Sequence, residues 1–294
     1  MSMFPLRRRA IMSALFASLG TAAAAQTSRR RAFASVDEAA SAFIEAIRKN
    51  DEKALEDMLG SSWLVFVPAA ADDLDGHRAQ FLSAWDAGHK IVAASDDTAR
   101  IEVGTSGFTL PLPLARGPDG WRFDVVAGRR EVAARQIGRN ELTIVQTLLA
   151  IVDAQHEYAM LDPTKSGMTV YARRFLSNTG RKDGLYWPTE PGEPSSPIGA
   201  LVADAQPDDA KKRNFYGYHF RMLTGQGGDA PGGELSYLVA NRMLGGFAVI
   251  AWPVRYGETG VSTFMVNYKG DVFEQDFGPD TPKAAVAIRL FDPG

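Results

Sequence analysis

The stretch NELTIVQTLLAIVDAQHEYAM, residues 140–160, decides how the fold is read. Leu142, Val145, Leu148, Leu149 and Val152 recur at helical spacing. Ile144 and Ile151 widen the apolar arc, which predicts a long helix covered on more than one side. Asn140 reads as its N-cap and Asp162-Pro163 as its stop, because proline lacks the amide that another turn would need. Strand patterns follow at 216–223, 235–240, 247–252, 261–268 and 272–277, with Lys269-Gly270-Asp271 as a tight hairpin signal between the last two. Between helix and strands, residues 179–197 are rich in Gly and Pro and read as an ordered but irregular loop.

Upstream of the long helix the order repeats. Ser35 and Glu38 form a capping box, and Ala39, Phe43, Ile44 and Ile47 lie on one face of the helix it opens. A second helix over 52–59 ends at Gly60, 63–67 is strand-like, 72–76 is turn-like and 78–86 is helical. Strand patterns at 99–103, 108–114 and 121–125 come next, with Pro118-Asp119-Gly120 as a turn. Pro111 and Pro113 lie on the same side of the middle one, which fits an edge because neither can donate to a ladder. Helices followed by antiparallel strands, twice over, predict an α+β fold of two units at 34–127 and 128–294.

Residues 1–25 carry a different signal. Arg7, Arg8 and Arg9 precede a short apolar run, Ala10 to Leu19, and then the small residues Gly20 to Ala25, the layout of a secretory signal peptide cleaved between Ala25 and Gln26. The run is too short for a membrane span and is stopped by Gly20. The adjacent arginines leave the twin-arginine export route open beside the general one. The expected address is therefore periplasmic or secreted, with 26–33 as a short leader and no transmembrane segment once the signal is removed.

The chain of 294 residues has 32 basic and 35 acidic residues; losing three arginines with the signal leaves 29 against 35, about −6. An acidic balance argues against nucleic acid or an anionic lipid surface as partner. With no cysteine, disulfides, thiol catalysis and cysteine metal sites are excluded together.

Catalytic motifs fail on inspection. The four histidines, His77, His89, His156 and His219, show no zinc-motif spacing, so neither a metal nor a cofactor is expected. His156 stands near Asp153 and Glu157, either as a carboxylate-oriented base or on a solvated helix face. Gly104-Thr105-Ser106-Gly107 is one residue short of a nucleophile elbow. The Asp73, Asp75, Gly76 run lacks the first and last ligands of a calcium loop. The glycine-rich run at 225–233 leads into a strand, not the helix N-terminus that a phosphate loop requires. One cluster remains: Arg173, Arg174, Arg181 and Lys182 interspersed with Tyr171, Phe175, Tyr186 and Trp187. Aromatic faces with cations fit an anionic or sugar-like ligand, or else the aromatics pin the loop while the cations are solvated. Arg174, Tyr186, Trp187 and His219 are the ligand-binding candidates.

Trp121-Arg122-Phe123-Asp124, Ile137-Gly138-Arg139-Asn140-Glu141, Asp183-Gly184-Leu185-Tyr186-Trp187, Gly245-Gly246-Phe247 and Gly278-Pro279-Asp280-Thr281 together resemble an exported bacterial family, domain of unknown function 2950. The resemblance covers nearly all of the chain after the signal and implies no activity or catalytic residues. The first unit is also similar to cystatin-like and nuclear-transport-factor-like folds. The second is similar to pilin and pseudopilin heads, without their cleavage motif or exposed apolar tail. The function expected is a non-catalytic module that binds a small molecule or a cell-envelope component. The alternatives are a hydrolase or lyase using a His–carboxylate pair and, lower, an accessory of a pilus or secretion system.

Overall fold

The computed structural model describes residues 4–5 (backbone only), 30–67, 73–193, 195–199 and 214–294. Apart from Phe4–Pro5, the signal-peptide reading lies outside the described residues. The chain is α+β, with two compact units that divide between Arg135 and Gln136.

In the first unit, α1 (Val36–Lys49) begins as the capping box requires. Ser35 Oγ accepts from Glu38 N at 3.1 Å, while Glu38 reaches back to Ala34 N at 2.9 Å. Ala39, Ala40, Phe43, Ile44 and Ala46 face the core. Asp51 caps α2 (Glu52–Leu59), and Asp73 caps α3 (Leu74–Ala87). The sheet runs β1 (His89–Ser95), β2 (Thr98–Val103), β3 (Leu114–Gly117), β4 (Gly120–Phe123), antiparallel throughout. Phe33 belongs to this core: it is 2% exposed and exchanges two main-chain hydrogen bonds of 2.8 Å with Trp121.

Two expectations are corrected here. Residues 63–67 are not strand: Trp63–Phe66 is a 3₁₀ turn tied by i→i+3 bonds. The pattern at 108–114 is not one strand; Phe108–Thr109 pairs with β2, and pairing resumes only at Leu114, past the two prolines that have no amide to give. Strand β1 had no reading at all.

The long helix starts earlier than expected. Helix α4 (Val125–Leu161) is 37 residues long, so Asn140 lies inside it and is not its N-cap. The start is set by Asp124, whose Oδ1 accepts from Ala127 N at 2.9 Å. Gly128 and Gly138 do not interrupt it, and it stops where Asp162-Pro163 predicts.

In the second unit the sheet runs β5 (Tyr218–Leu223), β6 (Ala248–Pro253), β7 (Ser262–Asn267), β8 (Val272–Asp276) in the spatial order β5-β6-β7-β8, antiparallel, with the Phe4–Pro5 backbone paired to β8. Every residue of β6 is buried. Ile144, Leu148, Ile151 and Tyr158 of α4 join Phe220, Val249, Phe264 and other sheet residues in one core. The β7–β8 hairpin turns as read: Gly270 has φ +83, and Asn267 Oδ1 accepts from Lys269 N and Asp271 N. The pattern at 235–240 is instead split. Leu235–Ser236 pairs with Gly225–Gln226, and Leu238–Val239 pairs with Arg242–Met243 across Ala240 and Asn241, both at positive φ. A last helix, α5 (Thr281–Ala287), packs on β6 and carried no helical pattern in the sequence. No helix among the described residues is long and apolar enough to cross a membrane.

Candidate functional site

The second unit contains a partly open cleft of about 320 Å³. Its walls come from the end of α4 (Tyr158), the turn after it (Thr164, Lys165, Ser166), the segment Val170, Tyr171 and Arg173, then Asp183, and the hairpin residues Asn241, Arg242 and Met243.

Each wall has a local cause. Asp162 closes the turn: its Oδ1 accepts from Ser166 N at 2.8 Å and its Oδ2 from Gly167 N at 2.8 Å. Those two amides hold the Asp162 carboxyl below its usual value, with burial opposing weakly. The turn leaves Lys165 at φ +53 on the cleft rim. The neighbouring segment is fixed by Gln155, which is fully buried in α4. Its Nε2 donates to Ala172 O at 2.8 Å and its Oε1 accepts from Ala172 N at 2.8 Å, so the side chain acts as a one-residue strand partner. Tyr171 N donates to Met243 O at 2.9 Å, tying the segment to the hairpin. Arg173 then lies against Asn241, with Nη1 donating to the main-chain oxygen at 3.1 Å and to Oδ1 at 2.6 Å.

Charge in the cleft is lopsided. Among the described residues of its lining, Lys165, Arg173 and Arg242 are cations and Asp183 is the one carboxylate. Asp183 accepts from Asn178 N and Nδ2, both at 2.8 Å. Among the described residues, neither Lys165 nor Arg242 has a side-chain hydrogen bond or ion pair. Arg173 Nε is buried with no acceptor, an arrangement that costs stability unless something else supplies one. The Tyr158 hydroxyl is pushed up to about 12 by burial and by the charges of Asp183 and Asp162, so it stays a neutral donor to Lys182 O at 2.8 Å.

None of the four sequence candidates lines this cleft. Arg174 Nη1 donates to Asn178 Oδ1 at 2.7 Å. Tyr186 exchanges main-chain bonds with Phe175 and Ser177. Trp187 is 4% exposed in the core, with Lys182 Nζ 5.5 Å from its ring centroid. His219 is on β5 opposite Trp252, with ring centroids 5.7 Å apart. Arg173 came from the same cluster in the sequence; Lys165, Arg242 and Gln155 were missed. Gln155 had a readable signal, since it interrupts the apolar stripe of Ile144, Leu148, Ile151 and Tyr158 on the buried face of α4.

His156 is exposed, and no histidine lines the cleft. Among the described residues no three His, Asp or Glu side chains gather as a metal site. The glycine-rich run wraps a side chain: Gln226 Nε2 donates to Pro231 O and Gly233 O.

The family model described as Protein of unknown function (DUF2950) matches residues 30–294. The chain belongs to the DUF2950 family. Comparison with curated proteins and with solved structures found no match.

The motifs that carried the DUF2950 resemblance have structural work. Asn140 Nδ2 donates to Thr259 O at 2.9 Å, and Glu141 Oε1 accepts from Val261 N and Ser262 N at 2.8 and 2.9 Å, which anchors the start of β7 to α4. A Cβ on Gly184 would meet Ser177 N at 2.6 Å, and Leu185 and Trp187 beside it are core. Asp124 caps α4, and Thr281 Oγ1 donates to Gly278 O at the start of α5.

Proposed function

We propose that this DUF2950 protein is a non-catalytic, exported ligand-binding module whose second unit takes a small anion in the cleft. One observation carries the reading: three of the cleft's lining residues are cationic, and the one carboxylate among the described lining residues is held by Asn178. An aqueous cleft with uncompensated positive charge attracts anions, and its low-dielectric walls strengthen that attraction. In this reading Arg174, Tyr186 and Trp187 support the loop that carries Arg173 and Asp183, and His219 has no contact with ligand. Export rests on the basic, apolar and small-residue order of 1–25.

The hydrolase or lyase alternative draws no support from the cleft, which has no histidine. The pilus alternative rests on the order of one helix and an antiparallel sheet alone.

Calorimetric titration of the protein with citrate, a compact polyanion, tests the reading. Saturable binding is expected, weakened about tenfold in Arg242→Gln, the loss of roughly one charge-assisted hydrogen bond. Citrate heats equal to buffer, or binding indifferent to Arg242, would count against the cleft.

A further inference from the structure

Resting on that reading, we propose that the natural ligand is a sugar acid: a hydroxylated monocarboxylate of monosaccharide size. The size follows from the cleft, whose volume of about 320 Å³ lies at the lower end of the range for small-molecule sites.

The charge follows from the balance of the lining. Three cations call for an anion, but Asp183 shares the wall with them. Asp183 on the same wall favours a ligand whose charge is confined to one end, with uncharged groups facing the carboxylate. A planar carboxylate also matches the fork of a guanidinium, and the cleft has two. Arg173 is already oriented, since Asn241 holds its Nη1 by two hydrogen bonds. Its bond to Asn241 is to neutral groups, so the positive charge itself is uncompensated.

The hydroxyl requirement follows from the rest of the wall. Asp183 accepts hydrogen bonds, Asn241 both donates and accepts, and the Thr164 hydroxyl is only 3.4 Å-bonded to Asp162. Beyond their partners in the protein, such groups have further hydrogen-bonding capacity that a ligand hydroxyl can use and an alkyl chain cannot. Tyr171 adds a half-buried ring, braced edge-on by Phe247 at 4.9 Å between centroids, on which a sugar's C–H face can lie.

The test is calorimetric titration of the same protein with D-glucuronate, D-glucose and glucose 6-phosphate, which differ at one carbon. Glucuronate is expected to bind about tenfold more tightly than either of the others. Arg173→Lys, which keeps the charge and removes the fork, is expected to weaken glucuronate about tenfold. If Arg173→Lys unfolds, Arg242→Gln takes its place; undiminished glucuronate binding in that variant overturns the inference. Glucose 6-phosphate binding as tightly as glucuronate would overturn the carboxylate assignment, and glucose doing so would overturn recognition of charge. If citrate binds and none of the three sugars does, the sugar-acid inference fails while the anion cleft stands. If citrate also fails, both fall.

Discussion

Gln155 holds the main chain of Ala172 by both ends of its amide, and Arg173 takes its position from that clamp. Gln155→Met keeps the volume and removes both bonds, leaving a buried N–H and C=O unpaired. Each such group costs about 1–3 kcal/mol, so a loss of roughly 2–6 kcal/mol is expected in urea denaturation. Asp162 makes a prediction about pH. Its folded value is depressed by the Ser166 and Gly167 amides from an ordinary 3.8, so its contribution is complete above that value and is lost as pH falls through the lower folded one. Asp162→Asn is therefore expected to flatten the acid limb of a stability profile without moving its alkaline limb, as read by melting temperature against pH. An unchanged acid limb would mean that the turn contributes nothing. At this scale the sequence was partly legible: Arg173 stood out among aromatics, whereas Gln155 was passed over for its more reactive neighbour His156, which is exposed beside the Phe247 and Tyr171 rings.

Helix α4 shows why element boundaries escape pattern reading. Its core-facing stripe was visible, but Asp124 directly follows a strand and caps the helix with no loop between, so the turns before Asn140 were credited to no element. Asn140 and Glu141 have cap-like chemistry, and they use it on the loop at Thr259–Ser262 instead. The hairpin at Ala240-Asn241 was invisible for another reason: it needs positive φ at two non-glycine residues, which only the surrounding structure enforces. Two glycines of α4 offer a paired prediction. A Cβ at Gly138 meets nothing within 4 Å, so Gly138→Ala is expected to stabilise by about 0.5–1 kcal/mol through helix propensity alone. A Cβ at Gly128 meets Phe66 at 2.9 Å and Leu112 at 3.0 Å, so Gly128→Ala is expected to destabilise by about 1–3 kcal/mol. Denaturation midpoints of the two variants moving in the same direction would contradict this account of the helix.

For the whole molecule, the α+β class and the division into two helix-plus-sheet units were legible because hydrophobic periodicity is local. The cleft was not, because it joins the end of α4 to a hairpin some eighty residues later, and only the folded chain brings Arg173 to Asn241. The family signature points elsewhere for a related reason: its residues cap helices, anchor β7 and fill the core. Export makes its own prediction, that protein recovered from a periplasmic fraction begins at Gln26 by intact mass; recovery of the full-length chain in the cytoplasm alone would contradict it. The most direct test of the cleft is hydrogen exchange followed residue by residue with and without citrate. Slowed exchange is predicted at 162–167, 171–173 and 241–243, with the first unit's sheet unchanged. Citrate that slows exchange only outside those three segments, or nowhere, would contradict the assignment of this cleft as the binding site.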